Sequence, residues 1–422
     1  MTPPYIVTLV FAAFLLAGIT AKLWLASAQI RHVARHRDRV PTPFASFVGL
    51  TAHQKAADYT IAKTRFGLVE LAIGATVLLG WTLLGGLNTL NRTLGSWLVA
   101  GMSQQLALVG AFTLISGVLD LPLTLYQTFV IEERFGFNKM TLKLWIADLA
   151  KSTLVGVLIG LPIAALILWL MGTAGHLWWL WAWAVWMGFN LLLLVVYPTF
   201  IAPLFNKFKP LDDEALAARV TSLMARCGFA AKGLFVMDGS KRSAHANAYF
   251  TGFGAAKRVV FYDTLLAKLS PGEVDAVLAH ELGHFKHKHI VKRVAGLFAM
   301  SLLGFALLGW LATQAWFYLG LGVEPNFSGP NDALALLLFL LTMPVFSFFI
   351  SPLMARVSRK HEFEADAYAV RQTSVADLST ALLKLYEDNA STLTPDPVYV
   401  KFYYSHPAAS ERLARMAAVG AA

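Results

Sequence analysis

The chain has 422 residues, 57% of them hydrophobic and only 14% charged, against about 25% charged in soluble domains. With a mean hydropathy of +0.58, this excludes a soluble multidomain protein and points to a multispan membrane protein. The single cysteine, Cys227, excludes a disulfide framework and multi-cysteine metal sites, and the net charge of +10 reads as basic loops facing anionic lipid, with no nucleic acid as partner.

Apolar windows of about 20 residues, long enough to cross a bilayer, fall near 5–27, 67–87, 97–128, 153–173, 177–199, 294–319 and 332–352. The fourth and fifth are joined only by residues 172–176 and form a tight hairpin; the third is long enough to tilt. Ala26-Ser27-Ala28 resembles a signal cleavage site, but no basic residue precedes the first span, and Arg31, Arg35, Arg37 and Arg39 follow it. It therefore reads as a retained anchor. Lys and Arg alternate between links: seven in 28–66, one in 88–96, four in 129–152, none in 174–176 or 320–331, and many in 200–293 and after 353. That pattern puts the N-terminus outside and both large polar segments in the cytoplasm, with the inner membrane of a bacterium as the expected location. Four regions follow: 1–199 with five spans, 200–293 cytoplasmic, 294–352 with two spans, and 353–422 cytoplasmic. Glu70, Gln104, Gln105, Asp120, Gln127 and Asn190 fall within spans, where polar groups face an interior or a wet cavity unless they reach the interface.

The sharpest chemical signal is His280-Glu281-Leu282-Gly283-His284. Pro271 suits a first helical turn and Val274, Val277, Leu278 and Leu282 form an apolar stripe, so the motif is expected on a helix. Two histidines one turn apart can share an ion, with Glu281 beside it to activate water; a solvated His/Glu face is the plainer alternative. His287 lies on the same face but about 10 Å along the axis from His280, too far for one ion. Lys286-His287-Lys288-His289 accordingly reads as a basic interfacial collar. The third ligand is expected from another segment on the same membrane face, and His361-Glu362-Phe363-Glu364-Ala365-Asp366 follows the last span. Glu362 and Asp366 share a face, where a ligand and its orienter would stand and where an ordinary solvated charge pair is the plainer alternative, while Glu364 points nearly the opposite way.

With these motifs the chain resembles the type I CAAX prenyl proteases, seven-span zinc metalloproteases that trim prenylated proteins. The resemblance also rests on 133–139 (Glu-Arg-Phe-Gly-Phe-Asn-Lys), on 245–252 (His-Ala-Asn-Ala-Tyr-Phe-Thr-Gly), on 258–266, and on Tyr404-Ser405-His406-Pro407 with Ser410-Glu411-Arg412-Leu413. It implies one zinc per chain on His280, His284 and Glu362, with Glu281 as general base and Asp366 as metal-site orienter or proton donor. It implies that Asn247, with His245 beside it, contacts substrate, and that His406 holds substrate or stabilises the oxyanion. The implied fold is all-α and polytopic, a barrel of seven helices around a large chamber closed by a helical cytoplasmic zinc domain. Residues 246–251 and 258–262 alternate as a short β-hairpin whose free edge could hold an extended peptide.

The expected activity is zinc-assisted peptide hydrolysis by a monomer, on a peptide or protein substrate, lipidated or not, at the bilayer. A membrane quality-control protease of the heat-shock type and a transporter or channel with a structural zinc are the two rivals.

Overall fold

The computed structural model describes residues 2–229, 233–251, 258–326 and 329–421, with the side chains of Phe250 and Thr251 left aside. Gly252 and part of the 320–331 loop lie outside the described residues. Among the described residues, seven helices are long and apolar enough to span a membrane. The first is α1 (Pro3–Arg35), followed by α2 (Leu50–Trp81), which starts well before the expected 67 because its polar first half is helical too. The link expected at 88–96 is instead a short amphipathic helix, α3 (Gly86–Trp97), with Leu87, Leu90 and Leu94 packed inward. Next come α4 (Met102–Tyr126), α5 (Leu142–Thr173) and α6 (Trp178–Val196), the last two joined by the expected tight turn. Beyond Pro122 and at Pro198, where a backbone donor is missing, α4 and α6 pass into π-helical turns at Gln127–Glu132 and Tyr197–Ile201.

The polar insert then runs α7 (Ala202–Phe205), β1 (Phe208–Pro210), α8 (Glu214–Arg226), β2 (Gly233–Met237), β3 (Ala248–Thr251), β4 (Arg258–Tyr262), α9 (Asp263–Leu266) and α10 (Pro271–Lys286). The window expected at 294–319 divides into α11 (His289–Leu311) and a separate α12 (Ala315–Gly320), before α13 (Asp332–Ser347) completes the spans. The tail carries α14 (Ser351–Gln372), α15 (Val375–Asp388), α16 (Pro397–Tyr403) and α17 (Ala409–Gly420).

In six of the seven apolar windows no more than 17% of residues are buried within the protein. A solid bundle would bury a stripe along every helix; these helices are staves of a barrel with an open interior. Buried apolar residues collect at its two ends. At the end that holds the N-terminus, Phe11, Trp81, Leu87, Leu108, Leu168 and Trp178 pack with Phe317, Tyr318 and Ala333–Leu338. Gln105 Oε1 accepts the Ala333 amide at 2.9 Å there, which gives one intramembrane glutamine a structural task. The opposite end is closed by the polar segments. Residues from both, such as Leu223, Phe261 and Leu278 with Ala369 and Leu382, share one core.

The expected hairpin is present as the antiparallel pair β3–β4, but it belongs to a four-stranded sheet in the order β1-β2-β4-β3. Strand β2 runs parallel to β4, and Val259, Val260 and Phe261 of β4 are all buried, as a strand covered on both faces must be. Strand β3 forms the edge beside α10.

Candidate active site

Helix α10 begins with a capping box: Ser270 Oγ accepts from the Glu273 amide at 3.4 Å, while the Ser270 amide donates to Glu273 at 2.7 Å. Pro271 sits at the first turn, where its missing N–H costs nothing. The helix then presents His280, Glu281 and His284 to α14, which carries Glu362 and Asp366. The two helices meet at a glycine. A Cβ on Gly283 would lie 2.9 Å from the Cα of Ala365 and 3.1 Å from its carbonyl oxygen, so no larger residue fits without moving backbone. Gly283→Ala is therefore expected to destabilise the metal-free protein by about 1–3 kcal/mol through overpacking and to weaken metal binding by spreading the ligands. Thermal unfolding and zinc titration of the purified variant check this; wild-type values in both would show that the crossing has slack.

His280 Nε2 and His284 Nε2 lie 3.3 Å apart, and Glu362 oxygens lie 3.4 Å from each. A tetrahedral ion with bonds of about 2.0–2.1 Å separates its ligands by about 3.3 Å. Glu362 Oε2 is also buried without a hydrogen-bond partner, which a bound cation would remedy. The residues present fit a metal.

Electrostatics agree. Burial disfavours a proton on His280, but contacts to Asp366 and Glu362 outweigh it and hold the pKa up to about 9. On His284, burial and the neighbouring His280 charge bring it down to about 3. The two carboxylates thus favour positive charge at His280. Burial also pushes the Glu281 carboxyl above its ordinary range, partly offset by His280.

Behind the ligands, His280 Nδ1 is 2.9 Å from Asp366 Oδ1, a charge contact outside straight hydrogen-bond geometry. Asp366 is gripped by Arg412 at 2.8 and 2.6 Å. The sequence motif contained Arg412 without giving it a role. Its signal was a cation on the Ala409, Arg412, Met416 face of α17, all three of which are buried. A buried arginine needs an acidic partner.

The cleft in front of the ligands encloses about 530 Å³ and is bordered by Asn247, Ala248, Glu281 and His406. His406 is 60% exposed, with Nε2 3.5 Å from Glu362 Oε2; the N-cap of α17 is Ala408, so His406 does not cap that helix. Asn247 stands at the start of β3, its side chain accepting from the Ala248 amide at 2.8 Å. His245 borders the cleft too, but it is braced: its ring stacks on Phe137 with centroids 4.4 Å apart, and Nδ1 meets Asn389 Oδ1 at 3.1 Å.

The collar expectation needs correcting. Helix α10 ends at Lys286 and Lys288 takes a left-handed conformation, φ 56°, so the chain folds back on itself. His287 is exposed, but His289 is buried at 1% exposure and lies against His284, with Nδ1 3.0 Å from Nδ1. Continuous helical numbering hid this, because positions i and i+5 of one helix diverge by about 140°.

Two family models match the chain: one described as the CAAX prenyl protease N-terminal region, five membrane helices, over residues 29–207, and peptidase family M48 over 210–419. CAAX prenyl protease 1 of Saccharomyces cerevisiae is 38% identical over 330 residues, covering 75% of this chain and 72% of that protein. An Arabidopsis thaliana homologue is 35% identical over 393 residues, covering 89% and 90%. The crystal structure of Ste24p from S. mikatae superposes with a TM-score of 0.91 at 32% identity, covering 97% of this chain and 99% of that one.

Proposed function

The chain belongs to the CAAX prenyl protease family of membrane metallopeptidases, and from that premise we propose that it is a zinc endopeptidase acting on CAAX-type peptides at the membrane, prenylated ones included. The observation that carries the reading is the triangle of His280, His284 and Glu362 ligand atoms, with Glu281 in the cleft beside it. A quality-control protease of the heat-shock type is disfavoured by the match to the five-helix N-terminal model. A structural zinc is disfavoured by the cleft in front of the ligands.

When bound by His280, His284 and Glu362, zinc supplies Lewis-acid chemistry, acidifying water and drawing charge from the scissile carbonyl. Glu281 takes the water's proton on its carboxylate and returns it to the leaving amine. Burial of Glu281 suits a group that must hold that proton between the two transfers. His406, exposed at the cleft rim, donates from its ring to the developing oxyanion. Asp366, clamped by Arg412, holds the His280 ring in place through Nδ1. Edge strand β3 and Asn247 bind the extended substrate backbone, while His245 shapes the cleft wall. Site, barrel and cleft are complete within one chain, so we take the working unit to be a monomer with one zinc.

Purified protein is expected to cleave a C-terminal peptide bearing a prenyl thioether faster than the same peptide unmodified. Chelation should stop both reactions and zinc should restore them. Cleavage that survives exhaustive chelation would overturn the metal chemistry; equal rates on both peptides would remove the lipid from the substrate description.

The basic-loop count further supports a zinc site and C-terminus in the cytoplasm of a cell with an inner membrane. Alkaline phosphatase fused at the C-terminus should then be inactive, and fused within 320–331 active; the reverse pattern inverts the topology.

A further inference from the structure

Both metal-facing histidines have a second ring nitrogen, and the protein treats the two differently. His280 Nδ1 meets a carboxylate directly, Asp366 at 2.9 Å. His284 Nδ1 meets another imidazole, His289 Nδ1, at 3.0 Å. His289 Nε2 in turn lies 2.8 Å from Glu364 Oε2. Glu364 thus stands at the end of a chain that runs through His289 to the ligand ring.

The chemistry of that chain has one consistent solution when the ligand rings are neutral. A carboxylate only accepts, so His289 must carry its proton on Nε2 and donate it to Glu364. Its Nδ1 is then a bare lone pair, which accepts from Nδ1–H of His284. His284 in that tautomer has its Nε2 lone pair free, on the side of His280 and Glu362. The opposite tautomer of His284 would place a proton on Nε2, where the metal must bind. We propose that Glu364 and His289 are positioning residues that select the metal-binding tautomer of His284, the bridged counterpart of what Asp366 does for His280. The proposal rests on the reading of His280, His284 and Glu362 as the metal ligands.

Two features show that the arrangement is built. His289 stacks on two other rings, His361 with centroids 4.0 Å apart and planes 12° apart, and His287 at 5.5 Å and 17°. Its in-plane nitrogens therefore cannot swing away from their partners. Lys288 takes a left-handed φ of 56°, a conformation that costs a non-glycine residue on the order of 1–2 kcal/mol. That kink turns His289 back onto His284.

His289, His361 and Glu364 offer donor atoms near enough together to hold a second ion. The hydrogen bonds argue against it: both His289 nitrogens are already engaged, Nδ1 with His284 and Nε2 with Glu364. The structure assigns this cluster to support of the first metal, with no second ion.

The test is metal affinity, measured on full-length purified protein by competition between zinc and a chromogenic chelator. His289→Leu and Glu364→Ala are each expected to bind zinc about 10–100-fold more weakly, the range found for lost outer partners of a ligand histidine. His289→Asn, whose Oδ1 can accept where Nδ1 did, should recover most of that loss. Equal weakening by Asn and Leu would mean that His289 only fills space, and unchanged affinity in Glu364→Ala would break the chain at its far end; either result overturns the proposal. Should His289→Leu not fold, Glu364→Ala still decides, because Glu364 is a partly exposed carboxylate at the surface of α14. Two zinc ions per wild-type chain would replace the positioning role with a second metal site. A wild-type protein that binds no zinc would refute the ligand reading itself, which a positioning defect cannot imitate.

Discussion

Glu281→Gln should hold one zinc per chain and lose peptidase activity by about 100–10,000-fold, the usual contribution of a positioned general base. In barrier height that is about 3–5 kcal/mol. Glutamine has the size and shape of glutamate, so the buried position is refilled and the crossing of α10 with α14 is undisturbed. What it loses is the lone pair that takes the water's proton and the capacity to carry that proton to the amine. None of the His280, His284 and Glu362 atoms spaced at 3.3–3.4 Å belongs to Glu281, so metal content should not change. Zinc analysis beside single-turnover cleavage separates the two effects. A variant that keeps its metal and cleaves at the wild-type rate would remove Glu281 from the mechanism.

Glu362→Ala should abolish tight zinc binding, and activity with it, whereas Glu364→Ala should still fill to one zinc per chain when the metal is in excess. The two side chains lie on opposite faces of α14. Glu362 is buried with its oxygens 3.4 Å from both ligand nitrogens, while Glu364 faces His289 and Lys360. Removing Glu362 leaves two histidines, one short of the three protein ligands of a catalytic zinc site, and strips out the negative charge that offsets the cation. Removing Glu364 alters only the chain behind His284. Metal analysis of the two purified variants decides it: zinc kept in Glu362→Ala but lost in Glu364→Ala would move the ligand by two residues.

The membrane staves and the clustering of His280 and His284 are legible in the sequence for the same reason: each imposes a period. Twenty apolar residues measure a bilayer, and a His-x-x-x-His pair measures one helical turn. The two carboxylates on α14 could be ranked because Glu362 and Asp366 repeat at i and i+4 whereas Glu364 does not. Features without a period were missed. Strand β2 is a five-residue apolar run that periodicity cannot distinguish from buried helix. Helix α3 reads only as a link between spans because its apolar stripe is short. The burial of His289 depended on one backbone angle at Lys288, and side-chain spacing carries no information about where a helix will fold back. Arg412 is one step removed from the metal, so it became visible only when α17 was seen packed against Asp366.

The two hydrophobic cores at opposite ends of the barrel bear on how the chain comes apart. Between them, six of the seven apolar windows bury no more than 17% of their residues within the protein. Little side-chain packing connects one core to the other, so melting of one need not propagate to the other. The chain is therefore expected to unfold in more than one cooperative step, which separate thermal transitions at the two ends would show and a single shared transition would overturn. A metal held by His280, His284 and Glu362 would add its binding free energy to the unit that carries α10 and α14 and nowhere else.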